Sequence, residues 1–326
     1  MLRLFLALLK KISIAIAVLL LLIGTLPFLI PLSQPTDMTQ TQPFENSAYY
    51  TLDGHDYHYR TYLPLEGEPK GKIFMVHGLG GSTFSFEKAA SALQAQNYTV
   101  VLVDLPGFGY SSRFPGYDHS QRNRADALWT LLDHVEAKWP EALKQMKWHL
   151  AGHSMGGGTV YAMTLKEEQR TASLVLIDGA LVSAPPSSPL TEFAPATQWG
   201  MVLLEYVFIS ENRIKGFLES AYGETPTYQE IQGYLMPLKT PGTARSAIDM
   251  VRTAENASLF KGQSLSLPVL AIWGENDNWV PLTDTQQIKD NITQLEVNII
   301  PGAGHCPMET HAETFNQMLL QWLESL

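Results

Sequence analysis

The chain has 326 residues, 45% hydrophobic and 17% charged, enough apolar material for one large core with an insertion or for two domains. Its net charge of −10, with no block of Lys or Arg in the body of the chain, sets nucleic-acid binding aside. A single cysteine, Cys306, excludes an intrachain disulfide and a multi-cysteine metal site.

From Ile12 to Leu32 the chain reads ISIAIAVLLLLIGTLPFLIPL, 21 residues without a charge. As a helix this run spans about 30 Å, the thickness of a bilayer's hydrocarbon core. Arg3, Lys10 and Lys11 precede it, and the next basic residue is Arg60. The positive-inside bias places residues 1–11 in the cytosol, makes 12–32 a single-pass transmembrane anchor and puts the body on the extracytoplasmic side. The alternative is a cleaved signal peptide and a secreted body. The run is long for one, and no A-x-A-like site follows promptly. Residues 33–47, polar and proline-bearing between Thr36 and Pro43, read as a linker.

Next comes AYYTLDGHDYHYRTYLP, in which aromatic and β-branched residues flank Asp53-Gly54, a strong hairpin signal. His55 and His58 fall in this hairpin. As a metal pair they lack further ligands, so they read as solvated strand positions.

From there short apolar strands alternate with helical stretches. Strands end at KIFMVHG, TVVLVDLPG, KWHLAGHS, ASLVLIDG, LPVLAIWGEND and LEVNIIPGAGH. Helical spacing runs from Ser120 to Lys138 and from Ala312 to Leu326. Unbroken apolar strands separated by helices predict an α/β fold with a mostly parallel sheet covered on both faces. Ligands then bind beyond the carboxyl ends of the strands, where the glycine-rich and polar signals of this chain sit. The region 181–263 interrupts the alternation with a proline-rich loop (SAPPSSPLTEFAP), apolar helical stretches at Trp199–Ile209 and Ile214–Ala221, and TARSAIDMVRTAENASLF. It reads as a helical cap inserted into a core formed by 48–180 and 264–326.

The most informative stretch is GHSMGGG, Gly152 to Gly158. G-x-S-x-G at a strand-to-helix junction is the context of a nucleophile elbow, in which the serine occupies a strained turn and the glycines avoid collisions across it. Ser154 is therefore the candidate nucleophile, and the helix behind it offers free N–H groups to developing negative charge. A serine needs a base and a group to orient that base. His305, in a glycine-containing loop after the last strand, is the candidate base. Asp277, after the preceding strand, is the favoured acid, and the chain order Ser…Asp…His suits it. Asp178, ending the strand after the nucleophile helix, competes, and Asp284 is a distant third that reads as a helix cap. The loop VHGLGGS follows an early strand, so the backbone N–H groups of Leu79 and Met155 are the candidate oxyanion-hole donors. DLPGFGYSS, from Asp104, reads as a structural turn lining the site.

Taken together, HGLGG (His77–Gly81), DLPGFGYS (Asp104–Ser111), GHSMGG (Gly152–Gly157), WGENDNWVP (Trp273–Pro281) and GAGH (Gly302–His305) resemble the α/β-hydrolase superfamily, in particular its capped serine-esterase and lipase-like members. The resemblance covers about residues 48–326 and leaves the N-terminal anchor outside it. It implies an eight-stranded, mostly parallel sheet and a two-step acyl transfer without cofactor or metal, with Ser154 attacking, His305 moving the proton and Asp277 orienting His305. Serine at position 154, rather than aspartate, sets the dehalogenase and epoxide-hydrolase members aside. Apolar cap residues, Trp199 and Leu203 among them, are candidate contacts for a hydrophobic part of a small-molecule or lipid-like ester. Carbon–carbon bond hydrolysis, amide hydrolysis, acyl transfer to another acceptor and a catalytically idle binding protein are the other readings of the same fold.

Overall fold

The computed structural model describes residues 2–181, 192–253, 265–290 and 292–326. Most of the expected proline-rich loop and the end of the expected insertion, 254–263, lie outside these residues.

Eight strands form one sheet: β1 (Ser47–Leu52), β2 (His55–Tyr62), β3 (Gly71–Val76), β4 (Tyr98–Val103), β5 (Trp148–His153), β6 (Thr171–Ile177), β7 (Val269–Gly274) and β8 (Leu295–Ile300), in the order β1-β2-β4-β3-β5-β6-β7-β8. The β1–β2 and β2–β4 pairs are antiparallel and the rest are parallel. Asp53-Gly54 makes the two-residue hairpin between Leu52 and His55, with both residues at positive φ (51° and 80°) as a type I′ turn requires.

Helices follow in chain order: α1 (Leu2–Thr25), α2 (Glu87–Ala95), α3 (Gln121–Glu136), α4 (Glu141–Gln145), α5 (Met155–Lys166), α6 (Ala194–Leu203), α7 (Glu211–Tyr222), α8 (Tyr228–Leu238), α9 (Thr243–Thr253), α10 (Asp284–Lys289), α11 (Pro307–Thr310) and α12 (Ala312–Glu324). The expected helix from Ser120 is α3, with the Ser120 hydroxyl accepting the Asn123 N–H as its N-cap.

Strand periodicity sorts the core into two layers. On β3, Phe74 and Val76 join the cluster that contains Leu128 and Trp129 of α3 and Val160 of α5, whereas Ile73 and Met75 join the cluster with Leu93 of α2 and Phe315 of α12. β3 and β4 are buried along their whole length because helices cover both faces. Each fully buried Leu, Ile or Phe contributes roughly 1.5–3 kcal/mol by burial. The second layer also receives Ile214 and Leu218 of α7 and Ile231 and Leu235 of α8. The helices inserted between β6 and β7 therefore pack on the sheet's own core.

His58 departs from the sequence reading. It is completely buried, and its Nδ1 meets Asp104 Oδ2 at 2.8 Å while its Nε2 meets Ser47 Oγ at 2.7 Å. A β2 flanked on both sides buries the residue that a two-stranded hairpin would leave wet. Asp104 is the hub of this region, accepting the N–H groups of Thr83 and Tyr110 as well. The stretch from Asp104 is thus a built turn.

α1 stands apart from the sheet. It continues as a 3₁₀ turn over Leu26–Leu29, and the Phe5–Leu29 stretch is almost wholly exposed, with a mean hydropathy of 2.7. Residues 33–47 carry no helix or strand before β1, yet they do not hang free. The Ser33 N–H and hydroxyl donate to the two carboxylate oxygens of Glu205 (2.8 and 3.1 Å), the Ser33 hydroxyl accepts from Gly242 N–H, and Met38 is buried.

Candidate active site

β5 delivers Ser154 into a left-handed turn (φ 51°, ψ −120°) from which α5 departs. For a residue with a Cβ that conformation costs about 1–3 kcal/mol and persists only where the surroundings fix it. Here they do: Ser154 N–H donates to Ile177 O at 2.9 Å, and Ser154 O accepts from Ala180 N–H at 2.9 Å. The neighbouring glycines are obligatory. A Cβ on Gly152 would lie 2.3 Å from Gly156 O, and one on Gly156 would lie 2.2 Å from Val76 O.

His305 sits in the turn after β8, with Nδ1 2.8 Å from Asp277 Oδ2 and both side chains buried. Burial alone pushes the Asp277 carboxyl up. The hydrogen bond and charge of His305, with N–H groups donated by Trp279 (2.7 Å) and Val280 (3.1 Å), outweigh that and hold it below the usual carboxylate range. Asp178 has the opposite fate. Burial, and then the Asp277 charge, push its carboxyl well above the usual range, and its Oδ1 accepts Gly274 N–H at 2.9 Å. Of the two acids weighed in the sequence, Asp277 is the one bonded to His305. Asp284 opens the first turn of α10, with Thr283 at the cap. Ligand atoms of Asp178, Asp277 and His305 lie within 4.8 Å of one another, the one such acid–imidazole group among the described residues. Asp277 Oδ2 and His305 Nδ1 are engaged with each other and Asp178 Oδ1 with Gly274 N–H, which leaves Asp178 Oδ2 without a hydrogen bond among the described residues.

His153, just before Ser154, ties the elbow to the histidine turn. Its ring centroid is 4.8 Å from that of His305, and its Nε2–H donates to His305 O at 2.7 Å. Burial holds this imidazole neutral, with its pKa down to about 3. On the other side Trp279 stacks on His305 (5.3 Å, 27°), and Phe217 of α7 meets Trp279 edge-on. Both lie inside the matched motifs, His153 in GHSMGG and Trp279 in WGENDNWVP, and that position is the signal that could have drawn attention to them.

The loop with Leu79 crosses directly over the elbow: a Cβ on Gly78 would lie 2.9 Å from Ser154 Cβ. His77, fully buried, accepts Leu105 N–H at Nε2 (3.1 Å), so its Nδ1–H donates to Gly78 O (2.7 Å). In a trans peptide C=O and N–H point in opposite directions. Pinning Gly78 O toward His77 therefore turns Leu79 N–H to the far side. Met155 opens α5, where its N–H has no intrahelical acceptor.

Trp199 Nε1–H donates to Ile23 O of α1 at 2.8 Å, and Leu203 is exposed. Among the described residues, neither shares a hydrogen bond with Ser154 or with His305.

A second Ser–His–Asp line exists in Ser47–His58–Asp104. Ser47 accepts Phe44 N–H at 3.1 Å and lies on an edge strand without positive φ. It has no elbow and no following helix, so this line is a strut. The difference shows what distinguishes Ser154.

The model of the serine aminopeptidase (S33) family matches residues 67–311. A curated relative, the 2-hydroxy-6-oxononadienedioate/2-hydroxy-6-oxononatrienedioate hydrolase of Klebsiella pneumoniae, is 27% identical over 79% of this chain and 88% of its own. Two solved structures share the fold. A bacterial membrane phospholipase A aligns with a TM-score of 0.66 at 20% identity, covering 100% of this chain and 99% of its own. A thermophilic esterase from Thermogutta terrifontis aligns at 0.63 and 23% identity, covering 90% and 99%.

Proposed function

We propose that this chain, which belongs to the serine aminopeptidase (S33) family of α/β-hydrolases, is a serine hydrolase that cleaves carboxylic esters with a hydrophobic moiety through an acyl-enzyme. The observation that supports this most directly is the buried 2.8 Å pair of His305 and Asp277, tied through His153 to the strained elbow that carries Ser154. Ser154 Oγ attacks the ester carbonyl while His305 Nε2 takes its proton. Asp277, ionised, holds the ring through Nδ1 and stabilises the imidazolium. The N–H groups of Leu79 and Met155 receive the oxyanion. His305 returns the proton to the departing alcohol, and water, activated by the same imidazole, releases the acid.

Carbon–carbon bond hydrolysis is the second reading, favoured by the curated relative's name, which describes a dioate. A substrate with two carboxylates needs cationic partners. Arg113, the buried arginine of the nearby turn, spends its donors on the carbonyls of Phe108, Gly109, Ser111 and Pro237 and on Thr243. Among the described residues the rings that meet His305 are His153 and Trp279, and the chain carries a net charge of −10. These features support an uncharged ester. We also read α1 as a single-pass anchor with its N-terminus in the cytosol, on the strength of its exposure, hydropathy and basic N-terminal flank.

The test is hydrolysis of chromogenic esters of increasing acyl length, beside a 2-hydroxy-6-oxo-dienedioate, by the wild type and Ser154→Ala. Ester turnover that vanishes in Ser154→Ala is the expected result. Turnover of the dienedioate alone would replace the ester reading with the second one.

A further inference from the structure

The N-terminal helix does not lead into a free tether. It is clamped to the cap along one line: Trp199 Nε1–H to Ile23 O (2.8 Å), Gln198 Nε2–H to Pro27 O (3.3 Å), Tyr206 O–H to Pro31 O (2.5 Å), and Ser33 to Glu205. Two of these acceptors, Ile23 and Pro27, lie inside the apolar stretch that ends at Leu29. Ile23 is six residues from that end, about 10 Å of helix rise. If the stretch spans a bilayer, the part of the cap bonded to Ile23 lies below its outer boundary.

The cap surface there suits that environment. After α6 the chain makes a π-helical turn, Leu204–Phe208, and Tyr206, Val207 and Phe208 are exposed at 56%, 41% and 48%. Leu203 is exposed beside them, as are Leu26, Phe28 and Leu29 of the clamped segment. The guanidinium of Arg213, at the start of α7, sits 5.8 Å from the Phe208 ring centroid, a cation at the rim of an apolar face. Aromatic and aliphatic side chains bounded by an arginine are what the headgroup–acyl boundary accepts, at a depth of about 5–10 Å.

We propose that Trp199, Leu203, Tyr206, Val207 and Phe208 form a membrane-immersed face of the cap, occupied by the headgroup–acyl boundary of a lipid bilayer, which seats the catalytic domain on the membrane. This rests on the reading of α1 as an anchor. The face is continuous with the anchor helix and fixed to it by side-chain hydrogen bonds, so the bilayer that takes one takes the other. A water-facing role would leave a contiguous apolar patch uncovered.

The full-length protein tests this in phosphatidylethanolamine–phosphatidylglycerol vesicles. Cys306 is buried, so one added cysteine carries the label, at Ile16→Cys, Val207→Cys or Leu326→Cys, each with an environment-sensitive nitrobenzoxadiazole dye. The unlabelled-site parent serves as blank. Nitroxide-bearing lipids should quench the dyes at 16 and 207 about twofold or more and leave the one at 326 unchanged. Quenching at 16 with none at 207 would keep the anchor and overturn the immersed face. A dye at 207 shielded from aqueous iodide yet unquenched by lipid nitroxide would mean that a second copy covers the face, which also overturns it. Absence of quenching at 16 would remove the anchor itself, and the proposal with it.

Discussion

The backbone N–H of His305 donates to the carbonyl of Ala221 at 2.7 Å, so the turn that carries the proposed base hangs from the last residues of α7, one of the helices inserted between β6 and β7. Gly304 permits the approach: a Cβ there would lie 2.5 Å from the carbonyls of both Ala221 and Tyr222. One turn on, Glu309 accepts the hydroxyls of Tyr222 and Tyr234, each at 2.5 Å, tying α7 and α8 to α11. The inserted helices and the proposed base are thus one mechanical unit.

Glu309 makes that unit sensitive to pH. Burial, only partly offset by the two tyrosine hydroxyls, pushes its pKa up to about 7 from an ordinary 4.5. A carboxyl that keeps its proton in the folded state up to a higher pH than in the unfolded state loses stability as pH rises from 4.5 to 7. The loss amounts to roughly 2–3 kcal/mol over that window. Glu309→Gln should flatten the wild-type decline in thermal midpoint between pH 4.5 and 7, and parallel curves would disprove the assignment.

Asp277 and Asp178 should separate cleanly. Asp277→Asn is expected to lower kcat by about 10³- to 10⁴-fold, because the imidazole loses its orienting charge. Burial and the Asp277 charge push Asp178 toward its neutral form, which asparagine resembles, so Asp178→Asn should keep activity within about tenfold. Its raised pKa means that wild-type stability falls as pH climbs above 3.8. The Asn variant should match the wild type near pH 3 and exceed it at pH 7 in chemical denaturation. A crippled Asp178→Asn beside an active Asp277→Asn would exchange the two roles.

Ser154, the proposed nucleophile, sits in a strained turn. Ser154→Ala and His305→Ala should each reduce kcat by at least about 10⁴-fold, since such residues act as a unit. Ser154→Gly should be equally inactive yet more stable by up to about 1 kcal/mol, because glycine accepts a φ of 51° without penalty. Calorimetry of the three variants reads both effects. A Ser154→Gly protein no more stable than Ser154→Ala would show that the turn stores no strain.

His77 is expected to act at a distance from the chemistry. If its Nδ1–H directs Leu79 N–H by holding Gly78 O, then His77→Ala should reduce kcat about 10- to 100-fold with KM nearly unchanged, less than the loss of a donor outright. His77→Asn, whose amide N–H takes the place of Nδ1–H, should recover part of that. Equal losses in both variants with a raised KM would point to general disruption of the loop.

The sheet was legible because its cues are local: apolar strands, Asp53-Gly54 and the Ser120 cap each act within a few residues. The candidate nucleophile was legible for the same reason, since its glycines answer to collisions with the adjacent turn. The choice of Asp277 over Asp178 rested on chain order alone, because both follow neighbouring parallel strands and packing decides which carboxylate reaches His305. His58 was misread because its burial depends on β4 pairing with β2, a contact 46 residues away in sequence from His58 to Asp104. α8 was overlooked, although Thr227 and Glu230 spell a capping box at its start. The apolar stretch at Trp199 was read correctly as a helix, but its bond to Ile23 O was not foreseen, since hydropathy does not say which neighbour a side chain finds.

The clamp of Ser33 on Glu205 also governs how the enzyme would search for substrate. A domain on a free fifteen-residue tether sweeps a hemisphere and samples molecules dissolved above the membrane. A domain locked to its anchor samples one height and one orientation, and it meets substrate by lateral diffusion in the plane. With α1 in a bilayer, the relevant concentration is then the mole fraction of ester among the surrounding lipids rather than its molarity, and diluting the vesicles in buffer leaves the rate per enzyme unaltered.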